Sequence, residues 1–131
     1  MQPRLDVVIE LFNQEKSFLD ILIGHAAERP NAIAMIDPDR WDLTYAALLS
    51  CVERLCNRLA ELGITEGKTV GADLPVAAEL AVASIAISSS GAFAPLNSKI
   101  PVEEKLAYLE EIEAAALVVG EGSDRVLQAR A

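Results

Sequence analysis

Residues 69–96 decide the fold of this chain, and they read TVGADLPVAAELAVASIAISSSGAFAPL. The first six, Thr69 to Leu74, are mostly small or branched and predict a strand. The nearly all-apolar stretch from Val76 to Ser90 predicts a helix, and Phe93 to Leu96 predicts a second strand. A strand, a helix and a strand in this order are typical of a β-α-β unit.

The same alternation continues downstream. Pro101 to Ile112 predicts a helix with proline in its first turn, and Ala115 to Val119 predicts a third strand. Two successive β-α-β units imply an α/β fold, in which a parallel β-α-β-α-β sheet has right-handed crossovers and flanking helices. The helix from Val76 is apolar on almost all sides, so we expect it to be buried on more than one face. A free-standing domain of 131 residues leaves little to cover the second face, which predicts a missing partner in the same chain or another.

Upstream of the sheet the sequence predicts a short β-hairpin and a long helix. Ala32 to Ile36 and Asp42 to Thr44 flank strong turn chemistry at Asp37-Pro38-Asp39-Arg40. The helix runs from Thr44 to Leu62, and Gly63 stands where a left-handed cap is needed. Its apolar positions form one stripe at helical period: Tyr45, Leu48, Leu49, Val52, Leu55, Cys56, Leu59 and Leu62.

Before the first capped helix, residues 1–15 carry apolar side chains at a spacing that is compatible with a short amphipathic turn or helix. Ser17 predicts the N-cap of that helix with Asp20 in the first turn, and Pro30 ends it at or before Arg29. We therefore divide the chain into residues 1–16, a lead or docking segment, and residues 17–131, which carry the α/β pattern.

Composition excludes several classes of partner. The net charge of −9 argues against nucleic acid and anionic membranes, because both attract clustered Lys and Arg, and the 11 basic residues here are scattered. Cys51 and Cys56 match no CxxC motif and predict small buried side chains in a reducing compartment. Met1 to Glu15 lacks a signal-peptide pattern, and the apolar run from Leu74 to Ile87 is shorter than the roughly 20 residues of a membrane span. We expect a cytoplasmic chain without a membrane span.

Few residues invite a catalytic interpretation. His25 is the only histidine, and no partner stands in the arrangement of a triad or a metal site. Ser88-Ser89-Ser90-Gly91 follows a predicted helix and precedes a strand, which is the wrong polarity for a phosphate loop. We interpret Gly91 as the cap of that helix. Gly120-Glu121-Gly122-Ser123 has few glycines and an acidic residue that repels phosphate.

Acidic residues crowd the helix predicted from Pro101. Glu103 and Glu104 suit the positive end of its dipole. Glu110, Glu111 and Glu113 are adjacent or nearly so and point in different directions, which favours a solvated face over a metal site.

Motifs in order along the chain resemble the start of an adenylate-forming, AMP-forming enzyme. Upstream, residues 25–34 fit the same pattern. Leu43-Thr44-Tyr45 with Leu48 resembles the first core motif of that family, and Ile87 to Asn97 resembles the second. Asp73-Leu74-Pro75 resembles the junction between strand and helix. The resemblance runs from about Phe18 to Val119.

The chain departs from the family pattern at three places. Ala47 replaces a common Glu, Val76-Ala77 replaces a frequent Asn-Ser or Asn-Gly, and Ser88-Ser89-Ser90 replaces Lys-Ala-Gly. In the family these motifs are architectural, and the segments that bind ATP and carry catalysis come later. We therefore assign no catalytic, cofactor-binding or metal-ligating residue in this chain.

The resemblance implies that residues 17–131 are a partial N-terminal subdomain of an acyl-CoA synthetase or of a carrier-protein-loading adenylation domain. The parent ligase is then expected to use ATP and Mg²⁺, a carboxylic acid, and CoA or a carrier protein as acceptor. The fragment is expected to be inactive alone and to bind the remainder of the ligase, a partner subunit or a second copy of itself.

Two alternatives stay open on sequence alone. The chain could be a stand-alone interaction or assembly module derived from that fold, since the three departures are compatible with relaxed catalytic constraint. It could also be an unrelated small α/β binding domain, which the β-α-β alternation allows but which leaves the ordered motifs unexplained.

Overall fold

The computed structural model describes residues 17–120, in which helices and strands alternate as the sequence predicts. The helices are α1 (Phe18–Glu28), α2 (Tyr45–Glu61), α3 (Ala78–Ser90) and α4 (Val102–Glu111). The strands are β1 (Ile33–Ile36), β2 (Asp42–Thr44), β3 (Thr69–Asp73), β4 (Ala92–Pro95) and β5 (Ala116–Val119). The predicted lead or docking segment, residues 1–16, lies outside the described residues.

Strands β3, β4 and β5 form the predicted parallel sheet in the order β4-β3-β5. Thr69 of β3 lies opposite Ala92 of β4, and Val70 lies opposite Ala116 of β5. The first crossover therefore leads from β3 to β4 on one side of it, and the second leads from β4 past β3 to β5 on its other side. Because such crossovers are right-handed, α3 and α4 lie on opposite faces of the sheet. The predicted α/β fold is confirmed.

Helix α3 packs between two layers. Ala83 and Ile87 join the core cluster that contains Val70 of β3, whereas Ala86 joins the cluster that contains Val52 of α2. The inference that this helix lacks cover for its second face is wrong, because α1 and α2 supply that cover. Helix α3 therefore gives no indication of a missing partner.

Helix α3 also begins later than predicted. Ala77 at its N-cap has extended backbone, with φ −157° and ψ −171°, so the first helical residue is Ala78 rather than Val76. Val76 is 96% exposed and lies in the loop that leaves the sheet.

Local hydrogen bonds set both ends of α2. The Thr44 hydroxyl accepts a hydrogen bond from the Ala47 N–H at 3.1 Å. At the other end Gly63 has φ +79°, as predicted, and the Ile64 N–H donates to the Leu59 carbonyl at 3.0 Å, which closes a Schellman motif. Leu62 is an exception in the predicted stripe, because it is 52% exposed past the last helical turn.

The N-terminal elements are capped and tied to the core. In α1, Ser17 and Asp20 form a reciprocal capping box, which confirms the predicted start of this helix. Strands β1 and β2 form the predicted antiparallel hairpin, in which Ile36 lies opposite Asp42. Among residues 17–120 no helix is long and apolar enough to cross a membrane.

Candidate functional site

The carboxyl edge of the parallel sheet is the candidate position for a ligand site. Open α/β sheets bind ligands where the chains leaving two neighbouring strands turn to opposite faces. Here the loop after β3 leads to α3 and the loop after β4 leads to α4, which cover opposite faces. The crevice between the ends of β3 and β4 is therefore the candidate position.

A buried ion pair fills this crevice. Asp73 is the last residue of β3, and its carboxylate oxygens accept hydrogen bonds from the Lys105 Nζ of α4 at 3.1 and 3.2 Å. The same Nζ donates to the Ser98 carbonyl in the loop after β4 at 3.1 Å. Asp73 is 4% exposed and Lys105 is 5% exposed. The ammonium thus joins β3, α4 and the intervening loop at one point.

The pair leaves no open cradle for a ligand at this position. A buried charge needs both an opposite charge and further hydrogen bonds, and Lys105 has three acceptors from Asp73 and Ser98. No buried polar side-chain atom within residues 17–120 lacks a partner. The arrangement holds α4 against the sheet and is not built to exchange one ligand for another.

Sequence reasoning missed this pair. The sequence placed Asp73 only in the motif between strand and helix, and it predicted no role for Lys105. The sequence does contain an indication that Lys105 is buried. It lies between Val102 and Leu106 on the side of α4 that faces the sheet. A lysine within an apolar stripe indicates a buried partner, but the stripe does not say which residue that partner is.

A second charged contact tethers the hairpin to α3. The Arg40 guanidinium binds both carboxylate oxygens of Glu79, with the Nη2–Oε2 distance at 2.6 Å, and it also donates through Nε to Asp37 at 2.9 Å. The bidentate contact with Arg40 lowers the pKa of Glu79 to about 2, and the two carboxylates raise the pKa of Arg40. The guanidinium also lies 5.0 Å from the centre of the Trp41 ring.

His25 lies in a contact between helices. Arg29 and the His25 Nδ1 are 3.4 Å apart, and the His25 ring centre is 5.4 Å from that of Tyr45. The Arg29 guanidinium is 5.2 Å from the Tyr45 ring centre. These side chains link the end of α1 to the start of α2.

The structure also locates the serine run and the glycine after it. The Ser89 and Ser90 hydroxyls donate back to carbonyls of α3 at 2.7 and 2.9 Å, at the C-terminal end of the helix. Phosphate binds at the N-terminal end of a helix, so the serine run lies at the opposite end from a phosphate loop. Gly91 is the C-cap of α3, as predicted, and its backbone there is extended, with φ −166°.

The acidic residues of α4 and the two cysteines occupy ordinary structural positions, whereas residues 121–123 of the Gly-Glu-Gly-Ser stretch lie outside the described residues. Glu103 and Glu104 lie in the first turn of α4, as predicted, and Glu110, Glu111 and Glu113 are exposed. Both cysteines are free and half-buried, and burial raises the pKa of the Cys56 thiol. Within residues 17–120 no three acidic, histidine or cysteine side chains gather as metal ligands.

A family model described as AMP-binding enzyme matches residues 23–131. The chain belongs to the AMP-binding enzyme family. It is 35% identical over 103 residues to chondramide synthase of Chondromyces crocatus, a match that covers 72% of this chain and 3% of that protein.

Solved structures of adenylate-forming enzymes share the fold. The N-terminal domain of FACL13 from Mycobacterium tuberculosis aligns with a TM-score of 0.77 at 22% identity, over 87% of this chain and 30% of that chain. O-succinylbenzoate coenzyme A synthetase from Bacillus subtilis, in complex with AMP, aligns with a TM-score of 0.70 at 26% identity, over 81% of this chain and 28% of that one. The chain therefore spans a small part of the length of each of these relatives.

ATP and Mg²⁺, which the family resemblance implies for the parent ligase, need a glycine-rich loop or free acidic ligands. The carboxyl edge of the parallel sheet does not offer such a site. The crevice at the carboxyl edge is filled by Asp73 and Lys105, the loop into α3 reads Leu74-Pro75-Val76-Ala77 with no glycine, and Glu79 in the first turn of α3 is paired with Arg40.

Proposed function

We propose that this chain is the N-terminal part of an ATP-dependent, AMP-forming acid–thiol ligase, either an acyl-CoA synthetase or a carrier-protein-loading adenylation domain. The observation that carries the proposal is the family match over residues 23–131, together with the place of the motif residues in the fold. Thr44 caps α2, Asp73 ends β3, and Pro95 ends β4. The motifs thus act as architecture here, which is the role that the family resemblance implies.

The parent enzyme would join a carboxylic acid to ATP. The carboxylate oxygen would attack the α-phosphorus and release pyrophosphate, and the acyl group of the acyl-adenylate would then pass to the thiol of CoA or of a carrier protein, with release of AMP. We place the ATP and Mg²⁺ sites in the remainder of the ligase, and we place the enzyme in the cytoplasm. Residues 17–131 would serve as a partial subdomain, and residues 1–16 as a lead or docking segment.

Pyrophosphate exchange tests this proposal directly. The protein is purified as the source cell makes it and incubated with ATP, Mg²⁺, labelled pyrophosphate and a panel of aliphatic, aromatic and amino acids. We expect exchange of label into ATP that depends on one class of acid. The 131-residue chain, purified alone, is the matched control and is expected to give no exchange.

Two results would overturn the proposal. The first is exchange by the 131-residue chain alone at the rate of the natural product, which would place the nucleotide site within these residues. The second is a natural product that folds, binds ATP and gives no exchange with any acid of the panel.

A further inference from the structure

Helix α4 is held to the sheet in a different way from the other helices. The buried residues of α1, α2 and α3 are all apolar, whereas the buried residue of α4 is Lys105. The apolar side chains of α4, Val102, Leu106 and Leu109, are only half-buried, against a small cluster that contains Leu117. Because hydrophobic stabilisation scales with the apolar area removed from water, this cluster holds α4 less firmly than a full core would. The attachment of α4 therefore depends on a charged side chain.

The ends of α4 add little stability of their own. Pro101 at the N-cap has no side chain that could accept a hydrogen bond from the first turn. The last turn carries Glu110 and Glu111 and no basic residue, so negative charge lies at the negative end of the helix dipole. Glu113, one residue beyond the C-cap, has φ +52°, a left-handed conformation that favours glycine. These features favour the opening of α4 before the rest of the fold.

The Lys105 ammonium opposes this opening. Its Nζ donates to both carboxylate oxygens of Asp73, at 3.1 and 3.2 Å, and to the Ser98 carbonyl at 3.1 Å. Both charges are buried, which costs free energy of desolvation. Lifting α4 off the sheet would break the three hydrogen bonds, but it would also return both charges to water. The rest of the fold need not unfold for this, because other elements form the two larger core clusters, around Val70 and Val52.

We propose that α4 is a flap that opens as a separate unit, and that Lys105 latches it over the crevice at the carboxyl edge of the sheet. In the open form Lys105 leaves the crevice, and both Asp73 and the Ser98 carbonyl become accessible to solvent. The strands and helices α1 to α3 keep their packing. This inference goes beyond the proposed function, since it concerns a motion within residues 17–120 and holds for any parent protein.

Native-state hydrogen exchange of the isotopically labelled 131-residue chain tests the inference. The reporters are the amides of Leu106 and Leu109 in α4 and those of Ala86 and Ile87 in α3. When closing is faster than exchange, the exchange rate measures the population of the form in which the amide is open. We expect the α4 amides to be protected by a factor about tenfold or more lower than the α3 amides. Their exchange should also depend less steeply on urea, because the opening of a flap exposes less surface than global unfolding.

Val52→Ala separates the opening of the flap from global unfolding. Val52 is fully buried in α2 and packs in the cluster of Ala86, whereas α4 packs against a different cluster. The variant loses the same contacts in the closed and the open form, so exchange at Leu106 and Leu109 should change by less than about twofold. Global unfolding becomes easier, so exchange at Ile87 should accelerate by about tenfold or more.

Lys105→Met tests the latch. The variant leaves Asp73 buried and unpaired in the closed form but solvated in the open form, so exchange at Leu106 and Leu109 should accelerate by about a hundredfold or more. Lys99→Met is the matched control, because it makes the same chemical change at an exposed position in the loop between β4 and α4. That variant should change exchange in α4 by less than about twofold.

The flap would be excluded by equal urea dependence of exchange at Leu109 and Ile87, or by equal acceleration at both in Val52→Ala, since α4 would then open only with the whole fold. The latch would be excluded by unchanged exchange at Leu109 in Lys105→Met. If Lys105→Met does not fold, the urea dependence in the natural sequence still decides whether α4 opens separately. Because these experiments contain no ATP, their failure leaves acid-dependent pyrophosphate exchange untouched, and each proposal can fail without the other.

Discussion

The α-carbon of Gly91 lies so close to the Lys68 carbonyl that a β-carbon built on it would stand 2.5 Å from that oxygen. Gly91 joins α3 to β4, and Lys68 precedes β3. The contact involves backbone on one side, so it cannot be relieved by a side-chain rotation. Glycine is thus required at position 91 by the close packing of two strand starts, and not by its φ of −166°, which is open to any residue.

We therefore expect Gly91→Ala to lower the free energy of unfolding by about 2 kcal/mol, because overpacking against backbone forces a shift of the strand start. Urea unfolding followed by circular dichroism measures the change. Gly24→Ala is the matched control, since a β-carbon there meets no atom within 4 Å. That substitution, inside α1, should raise stability by about 0.5–1 kcal/mol. Similar changes at the two glycines would contradict the close-approach argument.

The Asp73–Lys105 pair predicts strong coupling between two residues that are far apart in sequence. Lys105→Met should cost about 3–5 kcal/mol, because it leaves the Asp73 carboxylate buried and unpaired. Adding Asp73→Asn should recover most of that loss, since the remaining groups are neutral. A double-mutant cycle on urea unfolding gives the coupling free energy.

An exposed pair on α2 provides the control for that cycle. Arg58 and Glu61 are 3.1 Å apart, and their side chains are 66% and 65% exposed. Arg58→Met should change stability by less than about 0.5 kcal/mol. If the Lys105 and Arg58 variants were equally stable, the buried pair would not be what holds α4 to the sheet.

The Arg40–Glu79 contact predicts that the stability of the folded chain falls at acid pH. The pKa of Glu79 is about 2 in the folded chain, below its ordinary 4.5, so its contribution to stability is present above pH 4.5. That contribution is lost as the pH falls from 4.5 through about 2, when the carboxylate takes up a proton and releases Arg40. Both side chains are partly exposed, so solvent screens the effect on stability.

The measurement for Glu79 is a carbon-detected NMR titration of its side-chain carboxyl group. We expect a midpoint near 2 in the natural sequence and a return toward 4.5 in Arg40→Gln. Arg58→Gln, which removes a guanidinium from another helix, should leave the midpoint unchanged. A midpoint near 4.5 in the natural sequence would show that the bidentate contact does not form in solution.

Ala47 stands where the family commonly has Glu, and we expect that restoring Glu at this position stabilises the chain. Thr44 already accepts a hydrogen bond from the Ala47 N–H, and Glu at this third helical position would return a bond to the Thr44 N–H. Ala47→Glu should therefore raise the free energy of unfolding by about 0.5 kcal/mol more than Ala46→Glu. Ala46 is exposed in the same turn, so both variants gain the same interaction with the helix dipole. Equal thermal midpoints for the two would mean that no reciprocal bond forms.

Local patterns were sufficient for most of the fold. The stripe and caps of α2 predicted its ends to within one residue, because Thr44 and Gly63 act on their own turns. The parallel sheet followed from alternating strands and helices with long crossovers. The cover on the second face of α3 did not follow, because periodicity shows how much of a helix is apolar but not which neighbours it meets.

The candidate site was harder to predict. Asp73 and Lys105 are 32 residues apart, and their contact depends on the strand order and on α4 crossing the sheet. Neither fact is encoded in the local pattern around either residue.

The most direct test of the central claim is the intact mass of the protein as the source cell makes it, by antibody capture and mass spectrometry. If the chain is the N-terminal part of an AMP-forming ligase, the captured polypeptide is several times longer than 131 residues and contains this sequence near its beginning. A product of 14.0 kDa would contradict the claim and would make the chain a separate protein with the same fold.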